Sequence, residues 1–432
     1  MMATNGNDII FGTAGNNTID ALAGNDAVYA LAGNDTLMGG LGNDRLNGGL
    51  GNDTVNGGSG TDTADYSSGT VDPPGPIGST PVTGASSGVT VNLNLTGAQN
   101  TGGAGVDTLV SIENIFGTKF NDTLTGNGSN NVLSGLAGND RLLGGNGNDL
   151  LNGGAGNDRL NGGAGLDTAS YSSATGDVTV DLDLPGVAQN TGGAGTDTLT
   201  SIENLIGSKF NDTLNSAFID NSTIKGGAGN DRLTTDHSTN FTLYGDDGND
   251  DLLAGPGIGT LNGGAGHDTL FAGDGTFTLN GGAGNDMLTI EIFLGGKSTL
   301  NGGAGADILE HLDPPFPGGI VTFDYNAVSD SPAGAGRDAI INFVGVNGFD
   351  EADEHGDRID LTGVDANSLV SGNQAFKWIG NNAFTAAGQL RYSGGILSGN
   401  TDGDAAAEFE IQLTGCPALF VQAGHAGSDI LL

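Results

Sequence analysis

Aspartate recurs on a nine-residue grid in this chain, and carboxylates on a regular grid suit the chemistry of a hard cation. Asp8, Asp26, Asp35, Asp44, Asp53 and Asp62 lie on the grid, with Asn17 at the remaining position. It resumes at Asp122, Asn131, Asp140, Asp149, Asp158 and Asp167. A third group, Asp212, Asp231, Asp250, Asp268, Asp286 and Asp307, is spaced 18 to 21 residues apart. Carboxylates packed this densely repel one another unless a cation lies between them. Calcium takes about six to eight oxygens, from carboxylates and backbone carbonyls alike. Glycine lets the chain turn tightly and aim carbonyls inward, because it reaches backbone regions closed to other residues. The cleanest unit is Gly39-Gly40-Leu41-Gly42-Asn43-Asp44-Arg45-Leu46-Asn47. The candidate calcium ligands are the grid residues and the turn glycines before them. Those glycines are Gly24, Gly33, Gly42 and Gly51, then Gly138, Gly147 and Gly156, then Gly229, Gly248, Gly266 and Gly284.

The elements that position these groups follow from the apolar residues. Two places after each acid sits Ile10, Ile19, Val28, Leu37, Leu46 or Val55, and later Leu124, Leu133, Leu142, Leu151 or Leu160. Successive strand residues point to opposite faces, so a three-residue strand puts its middle side chain into a core. Two turns and two such strands make a coil of about 18 residues, a repeat architecture in which each unit buries its apolar face on the next. Alternate acids then stack on one edge: Asp8, Asp26, Asp44 and Asp62 on the first, Asn17, Asp35 and Asp53 on the second. Asp122, Asp140 and Asp158 face Asn131, Asp149 and Asp167 in the same manner. In the third group Leu243, Leu252, Leu261, Leu270, Leu279 and Leu288 keep the core spacing, but Phe241, Gly259 and Phe277 replace every second acid. Calcium is expected along one edge there and along both edges before. Adjacent pairs imply roughly a dozen ions.

The organisation expected is six segments: a repeat block over 1–68, a β insert over 69–118, a second block over 119–171, a second insert over 172–210, a third block over 211–313, and a C-terminal domain over 314–432. The inserts are copies. Val89-Thr90-Val91-Asn92-Leu93-Asn94-Leu95 matches Val178-Thr179-Val180-Asp181-Leu182-Asp183-Leu184, and both copies reach Ser-Ile-Glu-Asn at 111–114 and 201–204. Glu113 and Glu203 thereby re-enter the grid nine residues before Asp122 and Asp212. Aromatic residues and strand-like runs such as 338–343 and 409–413 mark the last segment as a compact β domain.

Composition narrows the function. The formal net charge is −39, from 51 acids against 12 Lys and Arg, with 82 glycines in 432 residues. That charge excludes binding to nucleic acid backbones and opposes anionic membrane surfaces. Acidic, glycine-rich chains are often disordered, but here the acids are periodic. Cys416 is the one cysteine, so no internal disulfide can form, and a metal is the natural substitute. No apolar run has the length of a transmembrane segment. Met1 to Asp8 lacks the basic and apolar segments of a secretory leader, which alone reads as cytosolic.

The nonapeptides reverse that reading. They resemble the glycine-rich repeats of the repeats-in-toxin (RTX, haemolysin-type) family over most of residues 5–310. The resemblance implies an all-β fold, a right-handed parallel β-roll stabilised by calcium, with a β-sandwich-like C-terminal extension. Arg337 to Leu361, Gly388-Gln389-Leu390-Arg391-Tyr392 and Phe409 to Gly415 resemble the C-terminal domain of serralysin-type metalloproteases. That implies export through a type I secretion apparatus with an uncleaved C-terminal signal, here similar to Asp429-Ile430-Leu431-Leu432.

An enzyme is not expected. The His-Glu-x-x-His zinc motif of a serralysin is absent, and the chain begins in its repeats. Glu310-His311 and Glu354-His355 are expected in loops, His267 facing solvent in a turn, and Cys416 in a loop. Asn400, Asp402, Asp404 and Glu408 have EF-hand-like spacing, but Ala405 and Ile411 stand where that loop needs Gly and Glu. The reading is a secreted calcium-binding protein of structural or adhesive role with an unknown extracellular partner. The alternative is the secretion and folding module of an extracellular hydrolase system.

Overall fold

A computed structural model describes residues 3–71, 80–82, 84–216, 218–236, 238–293, 295–312, 319–345, 356–416, 418–421 and 428–432. His237, His355 and His425, with Glu354, lie outside them. The chain forms two compact units, Met1–Ser208 and Lys209–Leu432. Both are all-β parallel solenoids, and the one helical element described is a short turn at Val328–Asp330.

In the first unit, three-residue strands stack in parallel from Ile9–Phe11 through Ala27–Tyr29, Arg45–Asn47, Thr63–Asp65, Asn114–Phe116, Val132–Ser134, Leu150–Asn152 and Thr168–Ser170 to Asn204–Ile206. The opposite face runs Thr18–Asp20, Thr36–Leu41, Thr54–Ser59 and Val106–Val110. It continues as Thr90–Asn92, Thr123–Thr125, Arg141–Asn146, Arg159–Ala164 and Gly195–Thr200. The register is the repeat itself: Leu124, Leu142, Leu160 and Leu199 pair in sequence, as do Leu133 and Leu151. These middle residues are buried, as are Val28, Leu37, Leu46 and Val55. Ile19 is only half-buried.

The two inserts enter this stack at strands that return antiparallel. Gln99–Asn100 runs back along Val106–Val110, and Ala188–Gly192 along Gly195–Thr200.

In the second unit one sheet runs from Thr223–Ala228 through Thr239–Asp247, Gly257–Ala265, Gly275–Ala283, Lys297–Ala304, Ile320–Asp324 and Arg358–Asp360 to Ile430–Leu431. The other runs from Thr213–Asn215 through Arg232–Thr235, Asp251–Ala254, Thr269–Ala272, Met287–Glu291, Ile308–Leu312 and Asp338–Ile341 to Phe409–Thr414. Strands beyond 319 thus extend the solenoid's own sheets. Ile396–Asn400 and Gln389–Ser393 turn antiparallel, on the last rung.

The glycines close the turns. Gly42 and Gly156 hold φ of 119° and 146°, a region that favours glycine. A Cβ on either would drive into the carbonyl of the turn one coil earlier, Gly24 or Gly138.

Burial alternates sharply along a strand, which sets a test. Leu142 is fully buried and its neighbour Leu143 faces outward. Leu142→Ala is expected to cost about 2–5 kcal/mol and Leu143→Ala below about 1 kcal/mol, read by denaturant unfolding. Equal losses contradict the assignment of faces.

Candidate metal centre

The turns between strands bring the grid carboxylates into columns, and a backbone hydrogen bond fixes each step. Asp8 N–H donates to Asp26 Oδ1 at 2.7 Å, Asp26 to Asp44 at 2.9 Å, Asp44 to Asp62 at 2.8 Å, and Asp62 to Glu113 Oε2 at 2.8 Å. The same edge carries Asn131 to Asp149, Asp149 to Asp167 and Asp167 to Glu203, each 2.8 Å. On the other edge Asn17 donates to Asp35 and Asp35 to Asp53, then Asp122 to Asp140 and Asp140 to Asp158. The second unit holds one such column, Asp212, Asp231, Asp250, Asp268, Asp286 and Asp307, with steps of 2.7–2.9 Å.

One oxygen of each carboxylate is therefore engaged. The other is the chemically telling one. Among the described residues, no donor reaches the buried Oδ2 of Asp26, Asp35, Asp44, Asp62, Asp140, Asp149, Asp158, Asp167, Asp231, Asp250, Asp268, Asp286 or Asp307. A side chain on Gly135 would enter the space shared by Asp140 Oδ2 and the Gly153 carbonyl. Gly144, Gly226, Gly245 and Gly263 stand in the same relation to Asp149, Asp231, Asp250 and Asp268. These cradles are lined by carboxylate and carbonyl oxygen. A buried polar atom without a partner costs about 1–3 kcal/mol, and more if charged.

The electrostatics agree. Burial pushes Asp140 up to about 8, with Asp158 and Asp122 adding to the rise. Burial likewise raises Asp53, Asp158, Asp231 and Asp286 to about 7. Asp62, Asp149, Asp250 and Asp307 reach about 6. Crowded carboxylate and carbonyl oxygens that demand a positive charge suit calcium as a hard, oxygen-seeking ion.

The chain matches the RTX calcium-binding nonapeptide repeat (4 copies) over residues 2–37, 29–64, 110–142, 134–169, 219–237, 242–261, 253–288 and 294–311. The chain belongs to the RTX family. Its repeats bind calcium. A search of curated proteins finds no match.

Two sets of glycines line the RTX turns. The expected glycines, among them Gly24, Gly33, Gly42 and Gly51, stack coil on coil at positive φ. The glycines nearest the donor-free oxygens open each unit: Gly39, Gly135, Gly226 and their equivalents. Asp107, Asp197 and Asp338 also join the columns, accepting the N–H of Asp53, Asp158 and Asp307 at 3.0, 2.9 and 2.9 Å. They lie 54, 39 and 31 residues from their donors, off the 18-residue spacing.

Four carboxylates or amides that open columns are satisfied locally. Thr4 N–H reaches Asp8 Oδ2 at 2.6 Å, Thr13 N–H reaches Asn17, Thr118 N–H reaches Asp122, and Asn127 N–H reaches Asn131. The asparagines before the acids form a second ladder in the opposite sense. Asn25 accepts from Asn43, Asn139 from Asn157, and Asn230 from Asn249. His267 is a rung of it: its N–H goes to Asn249 Oδ1, and its Nδ1 accepts the Asn285 N–H at 2.8 Å.

The neutral edge of the second unit is apolar. Phe241 and Phe277 are buried with ring centroids 6.1 Å apart, and a side chain on Gly259 would strike the Phe241 ring. His311 departs from its expected loop. It lies buried in the strand Ile308–Leu312, with Nδ1 2.9 Å from Asp357 Oδ1, because its position points inward in the burial alternation. Asp402, Asp404 and Glu408 gather their carboxylates within 4.8 Å. Asn400, by contrast, donates to the Asp404 and Ala406 carbonyls.

The carboxylate shifts carry a signed consequence. Each of Asp53, Asp62, Asp140, Asp149, Asp158, Asp231, Asp250, Asp286 and Asp307 titrates higher in the fold than its unfolded value of about 3.9. Without metal, its contribution to stability is fully present below that value and is lost as pH rises through about 6–8. Metal-free protein is expected to hold more β structure at pH 4 than at pH 8.5, read by circular dichroism. Added calcium is expected to restore the structure at pH 8.5, since the ion and the proton compete for the same oxygens. A metal-free signal that grows with pH contradicts this.

Proposed function

We propose that this calcium-binding β-roll protein leaves the cell unfolded through a type I secretion apparatus and folds on meeting extracellular calcium. The buried, donor-free oxygens of the stacked aspartates support this most directly. A fold that buries carboxylates beside carbonyls under a net charge of −39 opposes its own compaction without cations. An ion that binds the folded form alone stabilises it by mass action. Extracellular calcium modules bind at about 10⁻⁴–10⁻³ M, far above cytosolic calcium, so the chain stays threadable inside and folds outside.

The ligands proposed are the grid aspartates, with carbonyls of the turn glycines, for roughly a dozen ions. Both edges carry them in the first unit and one edge in the second. Once folded, the protein is a rigid, acidic, non-catalytic scaffold with a structural or adhesive role toward an extracellular partner.

Two measurements check this. In far-ultraviolet circular dichroism, protein in chelator at neutral pH is expected to lack β signal and to gain it cooperatively on calcium titration. Strong β signal in chelator, unchanged by calcium, contradicts the folding claim. Expression in a host carrying a type I exporter is expected to place the full chain in the medium and a chain lacking 373–432 in the cells. Equal export of both forms removes the C-terminal signal from the account.

A further inference from the structure

The duplicated inserts have so far been described only as interruptions of the roll. Their chemistry gives them a task. At an interior rung, one carboxylate oxygen takes a backbone N–H and the other has no donor among the described residues. At Asp107 the first half of the pattern holds, with Asp53 N–H on Oδ1 at 3.0 Å. The second half does not. The Thr101 hydroxyl lies 2.9 Å from Asp107 Oδ2 and 3.0 Å from the Gly105 carbonyl. It therefore stands between a carboxylate and a carbonyl, the two kinds of oxygen that share an open cradle at interior rungs. Tyr66, also buried, faces the same carboxylate.

The second insert repeats the arrangement. Asp197 Oδ1 accepts Asp158 N–H at 2.9 Å. The Thr191 hydroxyl lies 2.9 Å from Asp197 Oδ2 and 3.1 Å from the Gly195 carbonyl, and buried Tyr171 faces the carboxylate. Thr101 and Thr191 are both fully buried. Thr101 follows directly on the antiparallel return strand Gln99–Asn100, and Thr191 lies within the return strand Ala188–Gly192.

We propose that Asp107 and Asp197 are metal-free terminal rungs, where a threonine hydroxyl takes the place of calcium and ends the ladder. This rests on the calcium reading above. A carboxylate with a backbone N–H on one oxygen and a buried hydroxyl on the other leaves neither oxygen without a donor, so an ion there must displace a donor already in place. The following column opens on an equally satisfied group: Asp122 receives Val89 N–H at 2.7 Å and Thr118 N–H at 2.6 Å. The second edge of the first unit is thus two bounded ladders and not one continuous one.

A third copy isolates the threonine. Asp338 accepts Asp307 N–H and is faced by buried Tyr325, but no threonine reaches it. Its Oδ2 is among the buried oxygens without a donor. A facing tyrosine alone does not close a rung; the insert's threonine does.

Counting calcium bound to the full-length protein by equilibrium dialysis at saturation tests the proposal. The paired variant Asp107→Asn/Asp197→Asn is expected to keep the wild-type count, and Asp35→Asn/Asp140→Asn to lose up to two ions. Equal loss from both pairs overturns the proposal. No loss from either pair instead defeats the calcium assignment of the grid. Circular dichroism at saturating calcium first confirms that each variant folds. Should the Asp107 pair not fold, Thr101→Ala/Thr191→Ala replaces it. Removing the hydroxyls reopens both cradles, so a gain of up to two ions is expected, and an unchanged count overturns the proposal.

Discussion

This roll is organised around buried aspartate oxygens that no donor reaches among the described residues. Each interior aspartate gives one oxygen to the backbone N–H of the turn one coil earlier and holds the other, buried, beside glycine carbonyls. The first contact sets register: it fixes which turn lies on which. The second gathers carboxylate and carbonyl dipoles, all presenting negative charge, around the same small space, which suits a cation. The geometry that aligns the turns is therefore the geometry that creates the demand for calcium.

The rest of the architecture accommodates that demand. A core one side chain wide, built from residues such as Leu133, Leu142 and Leu151, is thin for the length of chain it must order. Backbone ordering costs about 1–2 kcal/mol per residue, and glycine-rich turns lie at the expensive end. The asparagine ladder ties the outside of the same turns in the opposite direction. It supplies neutral hydrogen bonds that hold turn spacing without adding charge. In the second unit Phe241 and Phe277 fill the edge that lacks acids, so apolar contact closes that edge.

The regular part of this fold was legible in the sequence because the repeat is shorter than any long-range effect. Nine-residue spacing gave the strands, the inward leucines and the stacking of Asp26 on Asp44. The grid failed where the chain left it. Asp107 follows Gly102-Gly103-Ala104-Gly105-Val106, a complete unit in its own right, but its partner Asp53 lies 54 residues away, and a fixed period does not find it. Local matching of the unit, without phase, finds Asp107 and Asp197 equally. The glycines beside the donor-free oxygens were harder. Gly39 and Gly42 look equivalent in a turn, and only the path of the backbone shows that Gly39 lies against Asp44 Oδ2. His311 was misplaced for a simpler reason: an adjacent acid and histidine look like solvent-facing polar residues, whereas strand alternation sends the histidine inward to Asp357.

The central claim is that the donor-free oxygens of the interior aspartates are ligands of calcium. Anomalous diffraction from crystals in which a lanthanide replaces calcium tests it most directly. The account predicts peaks in both columns of the first unit and one column of the second, each within coordination distance of an Oδ2 such as those of Asp44, Asp140 and Asp250. A folded, well-ordered roll with no peaks along these columns, or with peaks only on the outer asparagines, would contradict it.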